Sequence, residues 1–280
     1  MESKVSEFFG VCVADGRAEW REVSRRQMCP FSGRKCTKVR KSDPGTSIGT
    51  CVLEYRGESV IVCPVRLSEG GRAFADCVPL LSMHEPGNDL HAVPEMSVPG
   101  GSVDYFLVSV KDGRVADFLG VEFQTMDTTG TVWPERQRLM IELGVIERDP
   151  DSGSRKSFGM NWKMTAKTTL MQMHHKAETF ERLGKRLVLV IQKPFLEYMR
   201  REFSFAHISE ASATDAIRIH SYDVERSGGS LRLRLDEALG TDSSGIAKAM
   251  GLKAEQDMDP REVAEALESR MSPETLLRIR

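Results

Sequence analysis

No part of this 280-residue chain approaches the ~18 continuous apolar residues of a membrane-spanning helix. Met1-Glu2-Ser3-Lys4 does not open an apolar signal-peptide segment, so the expected location is the cytoplasm. No charge of one sign dominates: 39 Lys and Arg stand against 41 Asp and Glu, for a net charge of −2. Bulk charge therefore gives no support to nucleic-acid binding, yet it does not exclude it, because affinity follows the local placement of Lys and Arg. There is no internal repeat, and none of the six cysteines forms a Cys-x-x-Cys knuckle. In a reducing compartment these cysteines point away from disulfides and towards metal binding or burial.

What is present is an ordinary globular mixture, 40% hydrophobic and 29% charged, long enough for one large α/β domain with appendages. The first 28 residues read as a short helical lead-in. Residues 84–101, rich in proline and glycine, read as an irregular connection. Aromatic and β-branched residues predict a strand over 103–110, a turn at Lys111-Asp112-Gly113 and a return strand over 115–124. Both faces of this pair are apolar, as in a strand buried between layers. Ala166, Leu170, Met173, Ala177 and Phe180 fall at helical spacing, and Gly184 stands at the C-cap of a helix over 166–183. A short buried strand over 187–192 and a helix opened by Pro194 follow. This order predicts a mixed central sheet flanked by helices. The tail from Gly240 is polar and helical in character, with Asp259 as one N-cap and a further helix start at Ser272-Pro273. A working division is 1–83 as an N-terminal lobe, 84–210 as the core and 211–280 as a C-terminal segment of helical character.

The hairpin carries the chemistry-bearing residues. Asp104 lies near the start of its first strand, and Glu122 and Gln124 near the end of its second. Period-two alternation aims Glu122 and Gln124 at one face. An Asp on one strand with an acid-x-polar pair on the next is a recurring way to hold the hard oxygen ligands of Mg²⁺ for phosphodiester hydrolysis. Scattered acids on strands are also common, so register decides. A two-residue loop at Asp112-Gly113 would set Asp104 opposite Val121 and turn Glu122 to the other face. A three-residue loop, or a bulge near Gly120, keeps Asp104 and Glu122 on one face.

The segment Gly120-Val-Glu-Phe-Gln-Thr-Met-Asp-Thr-Thr-Gly-Thr-Val-Trp-Pro134 resembles the active-site segment of NotI-type restriction enzymes. These use a glutamate-x-glutamine variant of the PD-(D/E)xK motif. The resemblance extends through Asn161-Trp-Lys-Met-Thr-Ala-Lys-Thr-Thr-Leu170 and upstream to the cysteines, over roughly residues 8–210. It implies a Type II restriction endonuclease of the PD-(D/E)xK superfamily, acting on double-stranded DNA as a homodimer at a GC-rich palindrome. It also implies Mg²⁺ on Asp104 and Glu122, with Gln124 in the lysine position. Glu95 is the nearest candidate for the extra upstream glutamate of such nucleases, and Asp127 is expected to shape the loop after the second strand.

Cys29, Cys36, Cys51 and Cys63 are spaced Cys-x₆-Cys-x₁₄-Cys-x₁₁-Cys. Thiolates suit Fe or Zn²⁺ in a tetrahedral site; burial as small hydrophobes is the alternative. NotI-type enzymes carry a four-cysteine iron site opening with the same Cys-Pro-Phe, which implies structural iron on these four residues, with zinc as its substitute. Cys12 and Cys77 read as buried thiols. His174 and His175, adjacent on a helix, face different directions. Met164, Met171 and Met173 read as packing residues. Lys163, Lys167, Arg136 and Arg138 are candidates for contact with DNA. The rivals of the nuclease reading are a non-enzymatic, metal-stabilised DNA-binding regulator, a rubredoxin-like electron carrier and a repair or junction-resolving nuclease.

Overall fold

The computed structural model describes residues 2–40, 42–154, 158–227, 229–252 and 259–272. Among these residues two larger sheets carry the fold, beside three two-stranded ones. The N-terminal sheet consists of β1 (Val5–Phe8), β2 (Val11–Cys12), β3 (Thr50–Tyr55) and β4 (Glu58–Ile61), in the order β2-β1-β3-β4. Helix α1 (Trp20–Arg26) follows β2. The expected helical lead-in is thus confined to these seven residues, because Val5–Phe8 is buried throughout and pairs with β3.

The main sheet has seven strands: β5 (Asp89–Val98), β6 (Gly101–Lys111), β7 (Arg114–Phe123), β8 (Leu187–Gln192), β9 (Ser209–Glu210), β10 (Ile217–Ser227) and β11 (Ser230–Thr241). Their order is β9-β11-β10-β8-β7-β6-β5. The β7–β8 and β8–β10 pairs are parallel, the others antiparallel, so the sheet is mixed as predicted.

Two readings are corrected. Residues 89–98 form an edge strand rather than an irregular connection. Pro94 is tolerated there because an edge strand has one side free of ladder bonds. Within 211–280, Ile217–Ser227 and Ser230–Thr241 form antiparallel paired strands rather than helices. The alternation Leu231-Arg-Leu-Arg-Leu235 carries the period of two that marks the second.

Helices α2 (Trp133–Glu142) and α3 (Trp162–Arg182) connect β7 to β8, and α4 (Lys193–Glu202), with Pro194 in its first turn, connects β8 to the outer strands. Gly184, at φ 61°, follows the end of α3. Short α5 (Ser243–Ala249) and α6 (Pro260–Glu268) follow the last strand, and the Asp259 carboxylate accepts from the Arg261 N–H as an N-cap does. The helix start expected at Ser272-Pro273 runs outside the described residues. Among the described residues no helix is long and apolar enough to cross a membrane.

The sheet is covered on both faces. Phe106, Leu189, Ile191, Ile217 and Ile219 pack with Leu170, Met173, Ala177 and Phe180 of α3 and with Phe195 and Met199 of α4. Leu107, Leu119, Val121, Val188 and Val190 meet Val52, Ile61 and Leu67 of the N-terminal lobe. Gly120 lets the Phe180 ring press onto the strand, since a Cβ there would lie 2.5 Å from the ring. Arg66, fully buried, ties the lobe together through Glu7 at 2.6 Å and donates to the Leu231 carbonyl at 2.9 Å.

Candidate active site

Register brings the two acids together. The β6–β7 loop is the two-residue one, Lys111 opposite Arg114, with Asp112 and Gly113 at φ 51° and 73°. Taken alone, that loop would separate the acids. A bulge corrects it: Val110 pairs with Val115 and Ser109 with Asp117, leaving Ala116 as the extra residue. The correction lies nearer the turn than Gly120, where a bulge was expected. Continued one step past Tyr105–Val121, this register sets Asp104 opposite Glu122 on the face that carries Phe106 and α3, and both residues line one cleft.

The cleft at this end of the sheet has a volume of about 400 Å³ and is lined by Gly100, Gly101, Asp104, Glu122, Gln124, Thr169, Gln172 and Lys176. Asp104 Oδ2 accepts from the Phe123 N–H at 2.9 Å. Glu122 is buried, and Lys176 Nζ lies 2.5 Å from its Oε1. Burial raises the Glu122 carboxyl to about 7, Asp104 adds repulsion, and the Lys176 hydrogen bond offsets only part of this. Gln124 donates from Nε2 to the Thr125 carbonyl at 2.7 Å.

Lys176 is the residue that sequence reasoning missed. Its signal lies in α3, where Thr165, Thr169, Gln172 and Lys176 recur at intervals of four, three and four beside the apolar stripe. Glu95 is exposed on β5. Its neighbours pair Pro94 with Tyr105 and Met96 with Val103, which sets Glu95 opposite Asp104, with φ at 39°. Asp127 shapes the following loop by accepting from Thr165 Oγ1 at 3.2 Å, while its carbonyl accepts from the Asn161 N–H at 2.8 Å.

Other candidates fall elsewhere. Arg136 and Arg138 are buried: Arg136 stacks on Trp133 and donates to the Ile48 carbonyl, and Arg138 pairs with Glu135 at 2.5 Å. They hold α2 to its surroundings and are not free to read bases. Lys163 and Lys167 are exposed on α3. Met173 is core, whereas Met164 and Met171 are exposed rather than packed. His174 is half-buried and His175 exposed.

Residues 18–230 match the family model of restriction endonuclease NotI. The chain belongs to the NotI family. Membership implies a sequence-specific restriction endonuclease, a hydrolase acting on double-stranded DNA. No curated protein matches the chain.

The NotI match also takes in Cys29, Cys36, Cys51, Cys63 and Cys77. All six are free thiols. Cys51 Sγ donates to the Gly49 carbonyl at 3.5 Å; proximity to Cys51 lowers the Cys63 thiol to about 6, and burial raises that of Cys36. The Arg66 N–H donates to the Cys63 carbonyl at 3.0 Å. Among the described residues, however, no three His, Cys, Asp or Glu side chains are arranged to hold a metal ion, so the four cysteines are neighbours without a closed ligand set. Cys12 and Cys77 are buried thiols.

Proposed function

We propose that this NotI-family protein is a Type II restriction endonuclease that hydrolyses double-stranded DNA at a GC-rich palindrome with Mg²⁺, as a homodimer. The observation that carries the reading is that Asp104 and Glu122 line one open cleft, close enough for the charge of one to act on the other. Two hard carboxylates in one cleft, one of them buried and repelled by the other, are a donor set that suits Mg²⁺. That ion is ordinarily held by one or two carboxylates, with phosphate and water completing its shell. Bound there, it would supply Lewis acidity to the scissile phosphate and a more acidic water.

The chain's own residues do the rest. Asp104 and Glu122 hold the cation, and the Gln124 amide orients water or a phosphate oxygen through hydrogen bonds. Glu95, opposite Asp104, is the candidate third carboxylate. Lys163 and Lys167, exposed on α3, are placed for phosphate contact without sequence preference. Water attacks phosphorus, the P–O3′ bond breaks, and the products are a 5′-phosphate and a 3′-hydroxyl. A two-fold dimer presents one site to each strand of a palindrome. Cys29, Cys36, Cys51 and Cys63 are soft thiol donors of the kind that structural Fe or Zn²⁺ takes, and binding such an ion would require them to close into a ligand set that the described side chains do not form.

The test is a digest of GC-rich plasmid and phage DNA with Mg²⁺ or EDTA, comparing wild type, Glu122→Ala and Glu95→Gln. Discrete fragments from wild type with Mg²⁺ only, and none from Glu122→Ala, are expected. Intact DNA in every lane with binding retained would instead indicate a non-enzymatic DNA-binding protein.

A further inference from the structure

The strand position two residues after Glu122 carries a neutral amide, and that amide is turned towards the Thr125 carbonyl. The cation of the cleft comes from α3. Lys176 is buried, and its Nζ reaches Glu122 Oε1 at 2.5 Å. Its stem is clamped by the β5–β6 turn. Gly100, at φ 96°, lies so close to the helix that a Cβ would fall 2.0 Å from the His175 carbonyl oxygen. A Cβ on Gly101, at φ 136°, would meet Lys176 Cε at 3.3 Å. Thr179 Oγ1 donates to the Pro99 carbonyl at 2.8 Å, fastening the same turn to the same helix. Two glycines therefore let the turn hold a lysine that lines the same cleft as Asp104 and Gln124.

Burying an ammonium beside a single carboxylate seldom adds stability, because desolvation offsets the attraction. Here the buried cation also sits where negative charge would grow during phosphodiester hydrolysis, and fixed donors at such a place act most strongly.

We propose that Lys176 is a catalytic residue of this site, serving from the helix the part that a lysine at position 124 would serve from the strand, by donating hydrogen bonds to a non-bridging oxygen of the scissile phosphate. The proposal rests on the reading of Asp104 and Glu122 given above. Lys176 donates hydrogen bonds and transfers no proton in this step. Without DNA it neutralises Glu122. With Glu122 engaged by a bound cation, the three N–H donors of Lys176 would be free to turn to the phosphate.

The experiment compares the full chain as wild type, Glu122→Ala, Lys176→Met, and Lys176→Met with Gln124→Lys. Four quantities are measured: single-turnover cleavage at saturating Mg²⁺, Mn²⁺ binding by calorimetry, duplex binding in EDTA and the melting temperature. Lys176→Met is expected to fold and to bind DNA within about threefold of wild type. It should bind Mn²⁺ more tightly, since the competitor for Glu122 is gone, and cleave at least ~100-fold more slowly at saturating metal. Adding Gln124→Lys should recover at least about tenfold of that rate. Should Lys176→Met not fold, Lys176→Gln, which can still hydrogen-bond Glu122, carries the same comparison. A simple counter-ion predicts tighter Mn²⁺ binding with the rate undiminished, and that result would overturn the proposal. So would a rate loss that merely tracks lost DNA binding and lost stability. Wild type that leaves DNA intact in Mg²⁺ strikes the nuclease reading itself. Wild type that cuts, beside an inert Glu122→Ala and a full-rate Lys176→Met, strikes only the role of Lys176.

Discussion

Lowering the pH should weaken Mg²⁺ binding by an amount set by Glu122. Burial, with Asp104 adding to it, lifts that carboxyl to about 7, so a cation that takes the carboxylate must expel a proton at any lower pH. For one such group, the metal concentration at half-maximal rate scales as one plus the ratio of protonated to ionised carboxyl. That factor is about 1.1 at pH 8, about 2 at pH 7 and about 11 at pH 6. An ordinary glutamate would leave the midpoint nearly flat over the same range. The assay is single-turnover cleavage titrated with Mg²⁺ at each pH, with rates compared at their own saturation. The metal-free fold gives a second readout. Because the folded-state value is raised, the unfolded chain releases this proton first. The stabilising contribution is complete below about 4.5 and is lost as pH rises through about 7. Mg²⁺ should therefore raise the melting temperature more at pH 8 than at pH 6. A half-maximal Mg²⁺ concentration that moves less than about twofold between pH 8 and pH 6 would refute the argument, and with it the assignment of Glu122 as the proton-linked ligand.

Two further expectations follow from where side chains lie. Arg138→Ala leaves Glu135 buried without its ion-pair partner and removes the donors to the Ser152 and Ser154 carbonyls, so it should cost about 3–5 kcal/mol by urea unfolding with an unchanged cleavage pattern. New cut sites at unchanged stability would return Arg138 to the DNA interface. Cys51→Ser should abolish stoichiometric Fe or Zn by elemental analysis and lower the melting temperature, while digests at low temperature keep their pattern; a variant that retains a full equivalent of metal would remove Cys51 from the ligand set.

Much of the candidate site is legible in the chain because its information is local. Asp104, Glu122 and Gln124 lie within one hairpin, and the helix and strand after it carry strong periods with clear caps. What escaped reading was non-local or chemically silent. Nothing about Ala116 marks a bulge: alanine has no special backbone preference, and only the need to bury Phe106 with Gly120 and Leu107 with Leu119 selects the bulged register. Lys176 lies 54 residues from Glu122, and its meaning depends on how α3 lies across the sheet. The edge strand β5 was hidden by Pro94 and Pro99, residues that argue against a central strand but are compatible with an edge. Arg136 and Arg138 show the converse error. Arginines beside an active-site segment read as DNA contacts until burial shows them paired.

The N-terminal lobe bears on the site through the backbone rather than through chemistry. At the end of β4, the Ile61 carbonyl accepts from the Met126 N–H at 3.3 Å, just beyond Gln124, and the Ile61 N–H donates to Gln192 Oε1 at 2.7 Å. Gln192 in turn donates to the Ser59 carbonyl, and the Gln124 N–H donates to the Val190 carbonyl at 3.0 Å. One short strand thus fastens the exits of both β7 and β8, the two strands whose parallel pairing carries Glu122 beside Leu189. Cys63 lies two residues past Ile61, and the Val62 N–H donates to the Cys51 carbonyl at 3.0 Å. Anything that stiffens the cysteine cluster therefore stiffens the strand that holds Glu122 in line with Asp104 and Lys176. A change at these cysteines should act on cleavage through the population of aligned sites, lowering the amplitude of a single-turnover reaction before its rate constant, because the aligned fraction keeps the same carboxylates and the same ammonium.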